Sequence, residues 1–93
     1  DRAGFQKDGS ADNELGNGWG WYDLGLQNEN LILKATDLGL STLIMGLREA
    51  DRLREILNIP ETETIVSVIA VGKAAEDPIR PHRKPIEEIA KFF

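Results

Sequence analysis

The chain has no cysteine and only one histidine, one methionine and one tyrosine in 93 residues. Without cysteine there is neither a disulfide nor a thiolate metal site, and His82 alone cannot assemble a histidine-based zinc site. A cysteine nucleophile is excluded too. Ser10, Ser41 and Ser67 sit outside any nucleophile-elbow pattern, so a hydrolase finds no nucleophile-and-base set. Basic residues are outnumbered, 11 Lys+Arg against 16 Asp+Glu, for a net charge of −5. That balance excludes a general nucleic-acid binder, although a local basic patch could still hold one phosphate. No apolar run approaches the ~20 residues that cross a bilayer, and the N-terminus lacks the apolar core of a signal peptide. The reading is a cytoplasmic, non-membrane protein, in keeping with the cysteine-free composition. The length accommodates one domain, or a piece of one, with a modest core. The chain opens on Asp1 and its only methionine is the internal Met45, so it is expected to be part of a longer chain.

What is present falls into alternating segments. Asp1 to Tyr22 is rich in Gly, Asp, Asn and Ser without a period of two or 3.6, and reads as a long glycine-rich loop. Its Gly16-Asn17-Gly18-Trp19-Gly20-Trp21 stretch does not follow a strand, which sets it apart from a dinucleotide fingerprint. The glycines are read as bending the chain so that Trp19 and Trp21 cover an apolar patch, with ligand stacking as the alternative. From Asp23, a candidate cap, Leu24, Leu31, Ala35 and Leu38 mark one face of a helix closed by Gly39. Leu40 to Leu47 reads as a buried strand ending at Gly46. Ala50, Leu53, Ile56 and Leu57 mark a short amphipathic helix that Pro60 stops.

Thr64 to Val71 is β-branched almost throughout and is expected to be a central strand covered on both faces. Lys73 to Lys84 is a polar, irregular connection. Pro85 then opens a docking helix with an Ile86, Ile89, Ala90, Phe93 stripe. A strand buried on both faces needs more neighbours than this order supplies, so partner strands are expected in missing sequence or another chain.

The carboxylate pairs Glu76-Asp77 and Glu87-Glu88 read as solvation and complement to a helix dipole rather than as acid and base. Arg80, His82, Arg83 and Lys84 cluster before the last helix, where cationic side chains and free N–H groups could share a phosphate. Taken alone, the same cluster is a solvated turn.

Several segments together resemble the C-terminal portion of the nitroreductase family: Asp23-Leu24-Gly25, Asn30 to Ala35, Asp37 to Thr42, Ile44-Met45-Gly46, Leu57 to Pro60, Val68 to Gly72, and Arg83 to Ile89. The resemblance runs in register from about Asp23 to the end. It implies that residues 1–93 are the C-terminal portion of a single nitroreductase-like domain, with 1–22 as its loop and 23–93 as helix, strand, helix, strand, loop and helix. The fold class implied is α+β, a mixed sheet flanked by helices and completed by missing sequence or a partner chain. The function implied is an FMN-dependent flavoprotein that dimerises through interwoven helices and passes electrons from NADH or NADPH to nitroaromatic, quinone or related acceptors.

Carried over by position, Ile44, Met45 and Gly46 match the turn whose backbone N–H groups approach flavin N5 and O4. A glycine there suits close approach of the ring. Arg83 matches the family's C-terminal phosphate-binding arginine. A basic residue common two positions before it is Pro81 here, and Arg80 or His82 is the candidate substitute. The family's N-terminal Arg-Arg-Ser-type phosphate segment has no counterpart in this chain. The alternative reading is a flavin-free, non-catalytic dimerisation or interaction module.

Overall fold

Trp19 decides where the first helix begins. In the computed structural model, which describes residues 2–93, helix α1 spans Gly18–Asp37, five residues earlier than the Asp23 start expected from the sequence. Asp1, the first residue of the expected loop, lies outside the described residues. Gly18 and Gly20 each cost a helix about 1 kcal/mol, and the docking of Trp19 offsets this. Its indole Nε1 donates to Asn13 Oδ1 at 2.9 Å, and its ring meets Tyr22 edge-on at 6.0 Å. It also packs over Gly4, whose φ of +82° and lack of a Cβ keep that space open. Trp21, by contrast, stays 60% exposed, so only one of the two tryptophans covers anything. Asp23 falls in the second turn and caps nothing; Asn17 occupies the cap position.

The segment before α1 is tied up rather than loose. Phe5 bridges Ala11, the Arg2 guanidinium lies 4.2 Å over the Phe5 ring, and the Asp12 N–H donates to the Gly4 carbonyl at 2.9 Å. The hydroxyl and then the N–H of Ser10 donate to Asp8, which holds that carboxyl below the usual aspartate range.

α1 closes as expected at Gly39. Its φ of +73° lets the Leu40 N–H reach the Ala35 carbonyl and the Gly39 N–H reach that of Thr36, both at 2.9 Å. This is the paired return that satisfies a helix C-terminus. The chain enters β1, Ser41–Met45, which pairs antiparallel with β2, Val68–Gly72, in the register Ser41↔Gly72 through Met45↔Val68.

Both strands are shorter than the expected Leu40–Leu47 and Thr64–Val71. For β2 the cause is visible: Arg48 takes the Ile65 carbonyl through Nε at 3.1 Å and through Nη2. That keeps residues 64–67 out of the ladder. The expected burial of these strands is also absent, with Leu43 and Ile44 more than half exposed. Among the described residues the sheet has two strands, so β2 is not central and each strand keeps one open edge.

α2 spans Ala50–Leu57 and ends where Asn58 turns left-handed, at φ 54° and ψ 43°, two residues before Pro60. Arg54 ties the following loop by donating to the carbonyls of Ile59 at 3.4 Å, Pro60, and Glu63 at 3.0 Å. The final helix, α3, is a single turn, Ile86–Ile89. The expected stripe does not form, because Ala90 is extended at φ −120° and ψ 143° and carries Phe93 off the helix. Ile86 and Ile89 are exposed, and a turn without tertiary support does not repay the cost of nucleating a longer helix.

α1 packs on β1, giving an α+β arrangement of helices and a small antiparallel sheet. Among the described residues Ala35 is the buried one. The accessible surface is 8627 Å², against about 5,400 Å² for a compact chain of this mass. The radius of gyration is 17.4 Å, where about 12 Å is typical of a compact domain. Among the described residues no helix is long and apolar enough to cross a membrane.

Candidate functional site

The stretch leaving β1 holds three of the candidate site residues. Ile44 and Met45 end the strand, and Gly46 begins an irregular stretch that runs to α2. Ile44 is more than half exposed, Met45 half-buried and Leu47 fully exposed. Gly46, Leu47 and Arg48 offer consecutive backbone N–H groups that find no acceptor among the described residues. A Cβ placed on Gly46 would meet nothing within 4 Å, so the fold leaves open space over this peptide.

On its other side the turn is held. Arg48 Nη1 donates to the Gly46 carbonyl at 3.1 Å while the same guanidinium holds Ile65. Met45 and Val68, with Leu53 and Ile56 of α2 and the arginines Arg48 and Arg52, line an adjoining groove of about 330 Å³.

Unpartnered donors around a residue without a side chain, on an exposed strand end, fit the edge of a planar ring that accepts hydrogen bonds. Ile44, Met45 and Gly46 carry no ionisable group, so what they can offer is shape and fixed backbone dipoles rather than proton transfer.

The phosphate end is less developed. Arg80 and Arg83 are exposed on the irregular stretch before α3. Neither has a carboxylate partner among the described residues. Neither lines the groove at Met45, nor the larger one at the opposite end of the sheet beside Ser41, Gly72 and Pro78. The helix meant to assist them is one turn long, so its dipole adds little. Ile44, Met45 and Gly46 are consecutive and share this stretch, whereas Arg80 and Arg83 do not line its groove.

Arg48 is the residue that sequence reasoning missed. Its partner Ile65 is 17 positions away, and no spacing rule flags an arginine bonded to distant carbonyls.

Comparison with known proteins identifies the family. The Nitroreductase family model matches residues 3–73. The match takes in the opening segment that the sequence resemblance left out, includes Ile44, Met45 and Gly46, and stops before Arg80. A Caenorhabditis elegans protein named Iodotyrosine dehalogenase 1 homolog is 35% identical over 66 residues, covering 68% of this chain and 20% of that relative. The chain thus spans about a fifth of the length of the curated relative it matches. No solved structure matches the chain. With a family model covering well over half of its residues, the chain belongs to the nitroreductase family.

Proposed function

We propose that residues 1–93 are the C-terminal portion of a nitroreductase-like domain in an FMN-dependent NAD(P)H oxidoreductase, one that works as a homodimer and reduces nitroaromatic, quinone or related acceptors. The observation that carries this reading is the run of unpartnered N–H groups at Gly46, Leu47 and Arg48, next to open space at Gly46 and inside the family match. When bound, FMN supplies the redox chemistry, taking hydride from the nicotinamide and passing electrons to the acceptor.

The chain's own residues bind and orient. The bare Cα of Gly46, with open space over it, would allow a ring edge to approach the backbone. The neighbouring N–H groups would favour negative charge on a bound flavin, with the Gly46 carbonyl held by Arg48. Ile44 and Met45 would offer the group apolar surface from the two faces of the strand end. Arg83, with Arg80 or His82 in support, is the candidate anchor for the FMN phosphate through charge-assisted hydrogen bonds. The turn needs no acid or base.

A second acceptor class has its own support. The relative's name is that of a dehalogenase acting on iodotyrosine, and an iodinated phenol is accordingly a candidate acceptor for this protein. The test is an anaerobic titration of the purified full-length protein with FMN, followed by NADH or NADPH and then by each acceptor. A bound flavin that is bleached by the nicotinamide and reoxidised by a nitroaromatic, a quinone or an iodotyrosine supports the reading and ranks the acceptors. A protein that takes up no added FMN contradicts it and leaves the flavin-free dimerisation module.

A further inference from the structure

The irregular stretch after β1 is braced by one side chain that the family resemblance gives no role. Arg48 donates from Nη1 to the Gly46 carbonyl at 3.1 Å, from Nε to the Ile65 carbonyl at 3.1 Å, and from Nη2 to that same Ile65 oxygen. One rigid, planar fork therefore joins the exit of β1 to the approach of β2. Those two segments are already in register through Met45↔Val68.

Peptide planarity makes this bond informative about the other face of the turn. In a trans peptide the C=O of Gly46 and the N–H of Leu47 point in opposite directions and rotate together. With the Gly46 oxygen fixed on Arg48, the Leu47 N–H is held facing away from the guanidinium. It has no acceptor among the described residues. Water at this exposed position could satisfy either orientation of an unbraced peptide, so the brace is what selects one.

We propose that Arg48 is a positioning residue: by holding the Gly46 carbonyl it orients the Gly46–Leu47 peptide so that the Leu47 N–H is presented to the flavin edge. This assignment rests on the reading that the turn faces a flavin. It differs from a simple charge effect, because a lysine keeps the positive charge but cannot reproduce the planar fork on two carbonyls.

The test uses the full-length protein with Arg48→Lys and Arg48→Met. In FMN-free protein the 15N heteronuclear NOE of the Leu47 amide reports the brace directly, and the melting temperature reports folding. In FMN-loaded protein the readouts are the dissociation constant and the reduction potential. The expected result is a lowered Leu47 NOE in both variants, FMN binding weakened by about tenfold as for one lost oriented donor, and a more negative potential. Arg48→Lys should be nearly as impaired as Arg48→Met, and its aliphatic stem and charge keep it the milder test of folding.

Two outcomes would overturn the assignment. One is Arg48→Lys with a mobile Leu47 amide but unchanged affinity and potential, which makes Arg48 a structural tie only. The other is Arg48→Lys indistinguishable from the native protein on every readout, which makes the charge sufficient. Native protein that takes up no FMN would fail at an earlier step, removing the flavin reading and this assignment with it, whatever the Leu47 amide does.

Discussion

Gly46 has room for a side chain that the fold does not use. Because a Cβ there meets nothing within 4 Å and its φ is not positive, Gly46→Val should leave the melting temperature within a few degrees of the native value. The same methyl groups would stand between the backbone donors and a ring, so FMN affinity and reduction potential should both fall. A lowered melting temperature with unchanged affinity would instead make Gly46 a structural turn. The two arginines before α3 call for a comparison rather than a single mutant. Arg83→Ala should weaken FMN binding by about 1.5–3 kcal/mol, the scale of a charge-assisted hydrogen bond, and Arg80→Ala by less. Equal losses, or none at Arg83, would move the phosphate elsewhere. Gly39 and Gly46 were legible from the sequence, each as a break at the end of a patterned run. Arg48 was not, because a hydrogen bond to the carbonyl of Ile65 leaves no trace in local spacing.

Among the elements, α2 and its exit loop are held chiefly by Arg54. The side chain is 17% exposed and donates to three carbonyls of the loop, with Glu61 3.6 Å from its Nε. Arg54→Met keeps the aliphatic stem and removes these bonds; it should lower stability by about 1–2 kcal/mol, the scale of hydrogen bonds to a charged group discounted for partial exposure. Urea denaturation checks this, and a loss below about 0.5 kcal/mol would show that water replaces the guanidinium freely. Helix α2 was legible from the sequence, since four apolar positions at helical spacing and a following proline agree. The start of α1 was not. Glycine and asparagine pointed to a loop, and the override comes from the packing of Trp19 over Gly4, which is tertiary. The strands were located correctly but drawn too long, because apolar β-branched composition at Thr64–Ser67 cannot report that Arg48 diverts the Ile65 carbonyl from the ladder. The last helix failed for a related reason: its stripe has no surface to pack on, and Ile86 and Ile89 face solvent.

For the whole molecule, surface is the decisive quantity. The accessible area exceeds that of a compact chain by roughly 3,200 Å², which is the scale of obligate protein interfaces. Trp21, Tyr22, Leu26, Leu33 and Leu38 along α1 are all more than half exposed. Sedimentation across the micromolar range should therefore find a dimer or larger species, with α1 in the contact; a folded, stable monomer would contradict this. The α+β class and the family were recoverable from the order of motifs alone, whereas the small core was foreshadowed only by length. The turn after β1 is the proposed place where this chain meets a flavin. Hydrogen–deuterium exchange over residues 44–48 of the full-length protein, with and without saturating FMN, tests it most directly. The unpartnered amides of Gly46 and Leu47 should exchange fast without FMN and at least about tenfold more slowly with it, as expected for donors that gain an acceptor. FMN bound with unchanged exchange at these amides would contradict the account.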